Sequence, residues 1–420
     1  MNAAVMPTYG RYDIAFERGE GPYLYATDGR RFLDFAAGIA VNALGHSHPK
    51  LVKALAEQGA KLWHVSNLYR IPEQEKLAER LVKHTFADKV FFGNSGAEAL
   101  EGAIKLVRKY HDETGHPERY VVIGCTGAFH GRTLATLAAA GNEKYLKGFD
   151  PQVEGFRQVA FGNLNELRAA LDEKTAAILV EPVQGEGGIR PAQLSYLREL
   201  RKIADEFGIL LVFDEVQCGM GRTGKLFAHE WAGVTPDVMC IAKGLGGGFP
   251  VGAFLATDKA AVGMTAGTHG STFGGNPLAM AVANAVLDVM LEPGFLDNVE
   301  RMGKLLWKEL EGLVKRHPKV FIEVLGAGLI QGLRCHVPNT QVVDKLRENG
   351  LLAVGAGENV VRLVPPLIIG EAHIREAVGT IDKVAAQLAS LAVRCRPSTF
   401  STSTGSRRRR SVPFSKTACA

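Results

Sequence analysis

At 420 residues the chain exceeds what one ordinary hydrophobic core supports, so two domains sharing a cleft are expected. Its 46% hydrophobic and 22% charged content excludes a largely disordered or collagen-like chain. Residues 396–420 hold six of the 49 basic residues and no acid, which leaves 43 basic against 44 acidic residues elsewhere and no basic body for nucleic acid.

The N-terminal stretch 1–20 has no apolar run, and no segment reaches the uncharged length of a membrane span, so neither a secretory leader nor a membrane anchor is expected. Six scattered cysteines without a CxxC pair point to a reducing compartment, and the expected location is the cytoplasm. Residues 23–35 alternate around Asp28-Gly29 and predict a hairpin. Short apolar runs at 90–92, 120–123, 177–180, 209–213 and 238–241 predict buried strands, with helices from Ala97 and over 193–207 among them. Strand and helix in alternation predict an α/β fold with a mostly parallel sheet. Helical patterns follow at 278–291 and 295–316, then strands at 321–325, 329–333 and 360–364, then a helix from Glu371 to about Val393, together a smaller α+β unit. The expected division is 1–45 packing with the small domain, 46–277 as the large domain, 278–395 as the small domain, and 396–420 as a disordered basic tail.

The segment from Leu210 to Gln217 carries the most chemical information. A buried strand ending in Asp214 delivers a carboxylate to the C-terminal edge of a parallel sheet, where open α/β folds bind ligands. Bound to a pyridine nitrogen, such an acid keeps that nitrogen protonated and the ring electron-withdrawing; a helix-capping or solvated Asp is the alternative. Lys243 lies between the apolar run 238–241 and the glycine-rich 244–248, where desolvation would lower its pKa and free a neutral nucleophile. A lone lysine at a strand end is otherwise a surface residue. Phe92-Gly93-Asn94-Ser95-Gly96-Ala97-Glu98 reads as strand, turn and helix start, with Ser95 and Glu98 at capping-box spacing, an arrangement suited to an anion. Residues 270–277 offer further hydroxyls and backbone N–H groups ahead of another helix.

Taken together with Gly38-Ile39-Ala40-Val41-Asn42-Ala43-Leu44-Gly45-His46, Ala128-Phe129-His130-Gly131-Arg132-Thr133, Glu181-Pro182-Val183-Gln184-Gly185-Glu186-Gly187-Gly188 and Val361-Arg362-Leu363-Val364-Pro365-Pro366, these segments resemble the class III aminotransferases of fold type I, in the family's order. The resemblance runs from the N-terminal hairpin to about Val393 and leaves the tail outside it. It implies pyridoxal 5′-phosphate as cofactor, a seven-stranded large domain and a homodimer. Gly96, Ala97 and Thr272 would hold the phosphate, Thr272 reaching across from the second subunit. Phe129 and Val216 would face the two sides of the ring, Asp214 its nitrogen and Gln217 the neighbourhood of its phenolic oxygen. Lys243 would carry the cofactor as a Schiff base and, once released by the substrate amine, would shuttle the proton.

For substrates, the resemblance supplies two arginines, Arg132 and Arg362. Arginine binds carboxylates through two parallel bonds. Arg132 and Ser271 would take the distal carboxylate of the amino donor, while Glu186 would pair with Arg362 until glutamate or 2-oxoglutarate displaced it. An ordinary surface ion pair is the other reading of these charges. The stretch from Ala40 to Leu44 lacks the tyrosine expected of ornithine δ-aminotransferases, so the resemblance implies an acylated donor, and the expected reaction moves the δ-amino group of N2-acetyl-L-ornithine to 2-oxoglutarate, a step of arginine synthesis. Ornithine, succinylornithine, succinyldiaminopimelate and 4-aminobutyrate are the alternative donors. From a different class, residues Gly219 to Lys225 approach a Walker A loop, but Leu226 stands where a magnesium-binding Ser or Thr is required. His46, His48 and the His229-Glu230 pair read as turn and packing residues, with no metal site expected.

Overall fold

The computed structural model describes residues 4–394, so the expected basic tail lies outside the described residues. A seven-stranded sheet runs in spatial order Lys89–Gly93, Gly252–Ala256, Val238–Ile241, Leu210–Asp214, Thr175–Val180, Val121–Cys125 and Phe156–Val159. Only Gly252–Ala256 runs against the others. Every residue of Thr175–Val180, Leu210–Asp214 and Val238–Ile241 is buried, because helices cover both faces of these central strands. The fold is therefore the expected α/β arrangement, with a mostly parallel sheet and one reversed strand.

The five strands expected from apolar runs are all present, within two residues at each end. The other two escape an apolar pattern for physical reasons. Phe156–Val159 is a four-residue edge strand that includes Arg157 and Gln158, and Gly252–Ala256 is a short run of mostly small residues directly behind a glycine-rich loop. The helix Leu194–Phe207 buries Tyr196, Leu197, Leu200, Ile203 and Ala204, one stripe at helical spacing, and stops at Gly208 in the left-handed conformation.

Towards the C-terminus, Phe321–Ala327, Ile330–Cys335, Val360–Leu363 and Val354–Ala356 form an antiparallel sheet. The helices Phe295–Arg316 and Glu371–Arg394 pack together beside it. At the other end of the chain, Tyr23–Ala26 and Arg31–Asp34 form the expected hairpin, preceded by a further strand, Phe16–Glu20. Leu351–Leu352 pairs in parallel with Arg31–Asp34, and Glu376 accepts hydrogen bonds from the Tyr23 hydroxyl at 2.8 Å and Arg31 at 2.7 Å. These contacts tie the two ends of the described chain together.

Candidate active site

Strand ends and one helix start converge at the C-terminal edge of the large sheet. The helix Gly96–Glu113 is capped by the Ser95 hydroxyl, which accepts from the Glu98 N–H at 3.2 Å. The reciprocal half of the capping box is displaced by one residue: the Glu98 carboxylate takes the N–H of Asn94 instead of that of Ser95. The first N–H groups of the helix are thereby left facing a cavity of about 450 Å³. Gly96 must lack a side chain, since a Cβ there would lie 2.8 Å from Val216.

The cavity wall brings together Gly96, Ala97, Phe129, Arg132, Asp214, Val216, Gln217 and Lys243, eight residues drawn from segments up to 147 positions apart in sequence. Lys243 follows the strand Val238–Ile241 with φ of +43°, a conformation few side chains adopt. It lines the cavity. Burial, reinforced by the charge of Arg362, lowers its pKa to about 8 against the pull of Glu186 and Asp214. A larger cavity of about 560 Å³ lies between Trp231 and Trp307, but it contains none of these groups; chemistry rather than size selects the site.

Asp214 is buried, and its Oδ1 accepts from the Val216 N–H at 3.0 Å while Oδ2 meets Nδ1 of buried His130 at 2.8 Å. Burial opposes charge on His130, but the bond and charge of Asp214, with Glu181 behind it, outweigh that and raise its pKa. Glu181 receives the Phe129 N–H at 2.8 Å, and burial followed by the nearby Asp214 charge raises its pKa to about 8. Sequence reasoning named the segments that contain His130 and Glu181 but gave neither residue a role. The signal was one of spacing in three dimensions, since 84 positions separate His130 from Asp214.

Arg362 is fully buried on the strand Val360–Leu363, and its Nη1 donates to Glu186 at 2.6 Å and to the Gln217 side-chain oxygen at 2.9 Å. The pair is part-buried, with Arg362 covered and Glu186 keeping 28% of its side chain exposed; desolvation opposes the charge of Glu186, but Arg362 prevails and its pKa is lowered. Arg132 is exposed, and its guanidinium lies 3.9 Å from the centre of the Tyr145 ring with no acid on it among the described residues. Neither Ser271 nor Thr272 lines the cavity, but the Ser271 hydroxyl accepts from the side chain of Asn94, which does, at 3.3 Å. The Ser271 hydroxyl accepts from the Gly274 N–H at 2.9 Å, and Thr272 is exposed.

Residues 5–385 match the family Aminotransferase class-III. The chain belongs to the class-III aminotransferases. Its cofactor is pyridoxal 5′-phosphate. The aminotransferase is 61% identical over 387 residues to the acetylornithine aminotransferase of Mesorhizobium japonicum, covering 92% of this chain and 97% of that protein. It is 59% identical over 388 residues to that of Rhodobacter capsulatus, covering 92% and 99%. Among solved structures, the N-acetylornithine aminotransferase of Stenotrophomonas maltophilia is 39% identical, with a TM-score of 0.80 over 91% of this chain and 98% of that one. The ornithine aminotransferase of Toxoplasma gondii, with pyridoxal phosphate partly occupying its active site, is 30% identical with a TM-score of 0.88 over 92% and 93%. Backbone likeness thus runs to both donor types, and only the sequence identity leans to one of them.

The nucleotide-loop alternative fails on the geometry of its own segment. Arg222 is fully buried, bonded to the carbonyl oxygens of Leu329 (3.1 Å) and Pro365, and the Lys225 ammonium sits 4.9 Å from the centre of the Trp231 ring. The loop is a packed bridge to the C-terminal sheet and leads into a single 3-10 turn, Ala228–Ala232, instead of a helix whose N-terminus could hold phosphate. The histidines have structural partners as well: His46 bonds Asp34, His48 caps the helix Pro49–Gly59, and His229 bonds Glu215.

Proposed function

We propose that this aminotransferase moves the δ-amino group of N2-acetyl-L-ornithine to 2-oxoglutarate, yielding N-acetyl-L-glutamate 5-semialdehyde and L-glutamate, as in arginine synthesis. The observation that carries the reading is the unequal state of the two arginines: Arg132 without an acid, Arg362 masked by Glu186. A donor that presents a distal carboxylate meets Arg132 and leaves the masked pair intact. A five-carbon diacid needs both arginines, and its second carboxylate displaces Glu186 from Arg362. The wall beside Lys243 adds the uncharged Val41, Phe249, Pro250 and Val251, and the two acids that line the cavity, Glu181 and Asp214, are buried and already hydrogen-bonded. A neutral amide enters such a surface at lower desolvation cost than an ammonium.

The residues fit the cofactor on three counts: a helix start whose Gly96 packs directly against Val216 on the cavity wall, a buried acid at a strand end, and an amine with a lowered pKa. Bound there, pyridoxal phosphate supplies an aldehyde that exchanges amines and a cationic ring that accepts electrons from the reacting carbon. The N–H groups at Gly96 and Ala97 would hold the phosphate, and Phe129 and Val216 would lie against the ring. Asp214, itself held by the His130 ring and the Val216 N–H, would keep the ring nitrogen protonated. Lys243 Nζ would hold the aldehyde carbon and, once displaced by the substrate amine, would act as the free base that moves the proton between the substrate carbon and the cofactor carbon across the shared nitrogen. Gln217, bonded to Arg362, links the cofactor pocket to the arginine that reads the second substrate.

We infer that the active unit is a homodimer in which Ser271 and Thr272 serve the neighbouring subunit, and that it works in the cytoplasm. Thr272 is exposed beside Phe273, which like Trp63, Leu68 and Tyr69 is an apolar side chain left largely exposed. Asn67 fixes the Ser271 loop by bonding the carbonyl oxygens of Ser271 at 3.1 Å and Gly274 at 2.9 Å. No single helix among the described residues is long and apolar enough to cross a membrane. The division into 1–45 with 278–395 around 46–277 is supported by the strand pairing of Leu351–Leu352 with Arg31–Asp34.

Side-by-side rates on N2-acetylornithine and ornithine test the donor. The expected kcat/KM ratio is at least tenfold in favour of the acetylated donor. A clear preference for ornithine would remove the substrate while leaving the enzyme class intact.

A further inference from the structure

Between the N-terminal hairpin and the cavity the backbone does something costly. Ala37, Gly38, Ile39 and Ala40 all have positive φ, at +46°, +62°, +65° and +62°. Glycine takes this conformation freely, but a β-branched residue such as Ile39 in it is an outlier. The four residues close one hydrogen-bonded left-handed turn: Ile39 and Ala40 donate to the Ala36 carbonyl at 2.8 and 3.1 Å, Val41 and Asn42 to that of Ala37 at 2.8 and 2.9 Å.

One buried side chain holds the turn. Asp34 is 2% exposed, and its Oδ1 accepts from the N–H groups of Ala36 at 3.0 Å and Ala37 at 2.8 Å. Its Oδ2 meets His46 Nε2 at 2.8 Å. The His46 backbone is anchored in turn, exchanging hydrogen bonds with Gly21 at 3.0 and 2.7 Å. A single carboxylate thus clamps both ends of the 34–46 loop.

The turn delivers its next three residues to the site. Val41 lines the cavity with Lys243. The Asn42 side chain fills the gap between Gly38 and Gly248, where a Cβ would meet it at 3.0 and 2.9 Å, and Ala43 lies against Gly244. An unstrained path through residues 37–40 would leave Val41 elsewhere. Backbone strain of this kind persists only where the surroundings over-determine it, and it gathers at functional sites.

We propose that Asp34 and His46 are positioning residues for amino-donor selection, acting through the left-handed turn Ala37–Ala40 that sets Val41 against the substrate. The proposal rests on the cavity being the amino-transfer site, and not on which donor the unmodified enzyme prefers. The test compares kcat/KM for N2-acetylornithine and ornithine in the holoenzyme, Asp34→Asn and His46→Ala, with cofactor Kd and thermal unfolding measured on each. Asp34→Asn keeps the size of the side chain but replaces the charged bond to His46; His46→Ala removes that bond with Asp34 intact, and decides the matter should the first variant not fold. The donor ratio is expected to shift at least tenfold, through the KM of N2-acetylornithine, with cofactor Kd within twofold of the unmodified protein. A folded variant with lowered Tm and an unchanged ratio would show that the clamp serves folding alone, and would overturn the proposal. An unmodified enzyme that prefers ornithine would sink the substrate reading above, yet Asp34→Asn must still shift whatever ratio that enzyme has.

Discussion

Burial lowers the pKa of Lys243 and raises that of Glu181 around one site, and each shift makes a separate prediction. The folded pKa of Lys243 lies at about 8, so its amine is neutral above that pH and protonated below it. The rate at which apoenzyme captures pyridoxal phosphate, followed by absorbance, should therefore rise with pH and level off above about 8. Lys243→Ala should abolish turnover while still retaining some cofactor noncovalently; near-normal activity would refute the assignment. For Glu181 the folded pKa is raised from 4.5 to about 8, so between these values the folded state holds a proton that the unfolded state has lost. Its contribution to stability is present at low pH and disappears as pH rises through that window. Denaturant titrations of the apoenzyme at pH 5 and pH 8 should show stability falling with pH, and Glu181→Gln should flatten the difference. Arg132→Ala should raise KM for both amino donor and keto acid by about tenfold or more, the loss of one charge-assisted pair.

At the scale of elements, the site depends on how closely a helix start can approach strand ends. A Cβ on Gly252 would lie 2.1 Å from the Ser95 carbonyl oxygen, a backbone atom with nowhere to move. Gly252→Ala should cost about 2–3 kcal/mol of stability by overpacking and weaken cofactor binding as the capped helix start shifts. Chemical denaturation and a cofactor titration on the same sample would check both; full stability with unchanged Kd would mean the helix start tolerates displacement. The left-handed turn makes the contrasting case. Three non-glycine residues there cost on the order of 1–2 kcal/mol each, offset by the buried Asp34 carboxylate and its three hydrogen bonds.

For the whole molecule, the consequential pair is Glu186 with Arg362, because one comes from the loop after the central strand Thr175–Val180 and the other from the C-terminal sheet. Substrate exchange at Arg362 is therefore an event between two parts of the fold. The dimer has its own test. Mixed dimers of Lys243→Ala and Thr272→Asp chains contain one site with both native residues if Thr272 acts across the interface, and none if it acts within its own chain. Recovery of activity on mixing two inactive variants is the expected result.

Much of this protein was legible before any coordinates. Five of the seven large-sheet strands announce themselves as apolar runs because central parallel strands are buried on both faces, and Asp214 and Lys243 stand out because polar residues end those runs. The residues that line the cavity were nameable because local motifs, a capped helix start or a glycine-rich loop, are written in contiguous sequence. What the sequence left open depends on contacts between distant segments: the bond of His130 to Asp214, the burial that raises the pKa of Glu181, the masking of Arg362, and the reversed strand Gly252–Ala256. The backbone of residues 37–40 belongs there too, since of Ala-Gly-Ile-Ala only the glycine accepts a left-handed conformation without strain. Local preference opposes it, and only the tertiary contacts of Asp34, His46 and Gly21 override that preference.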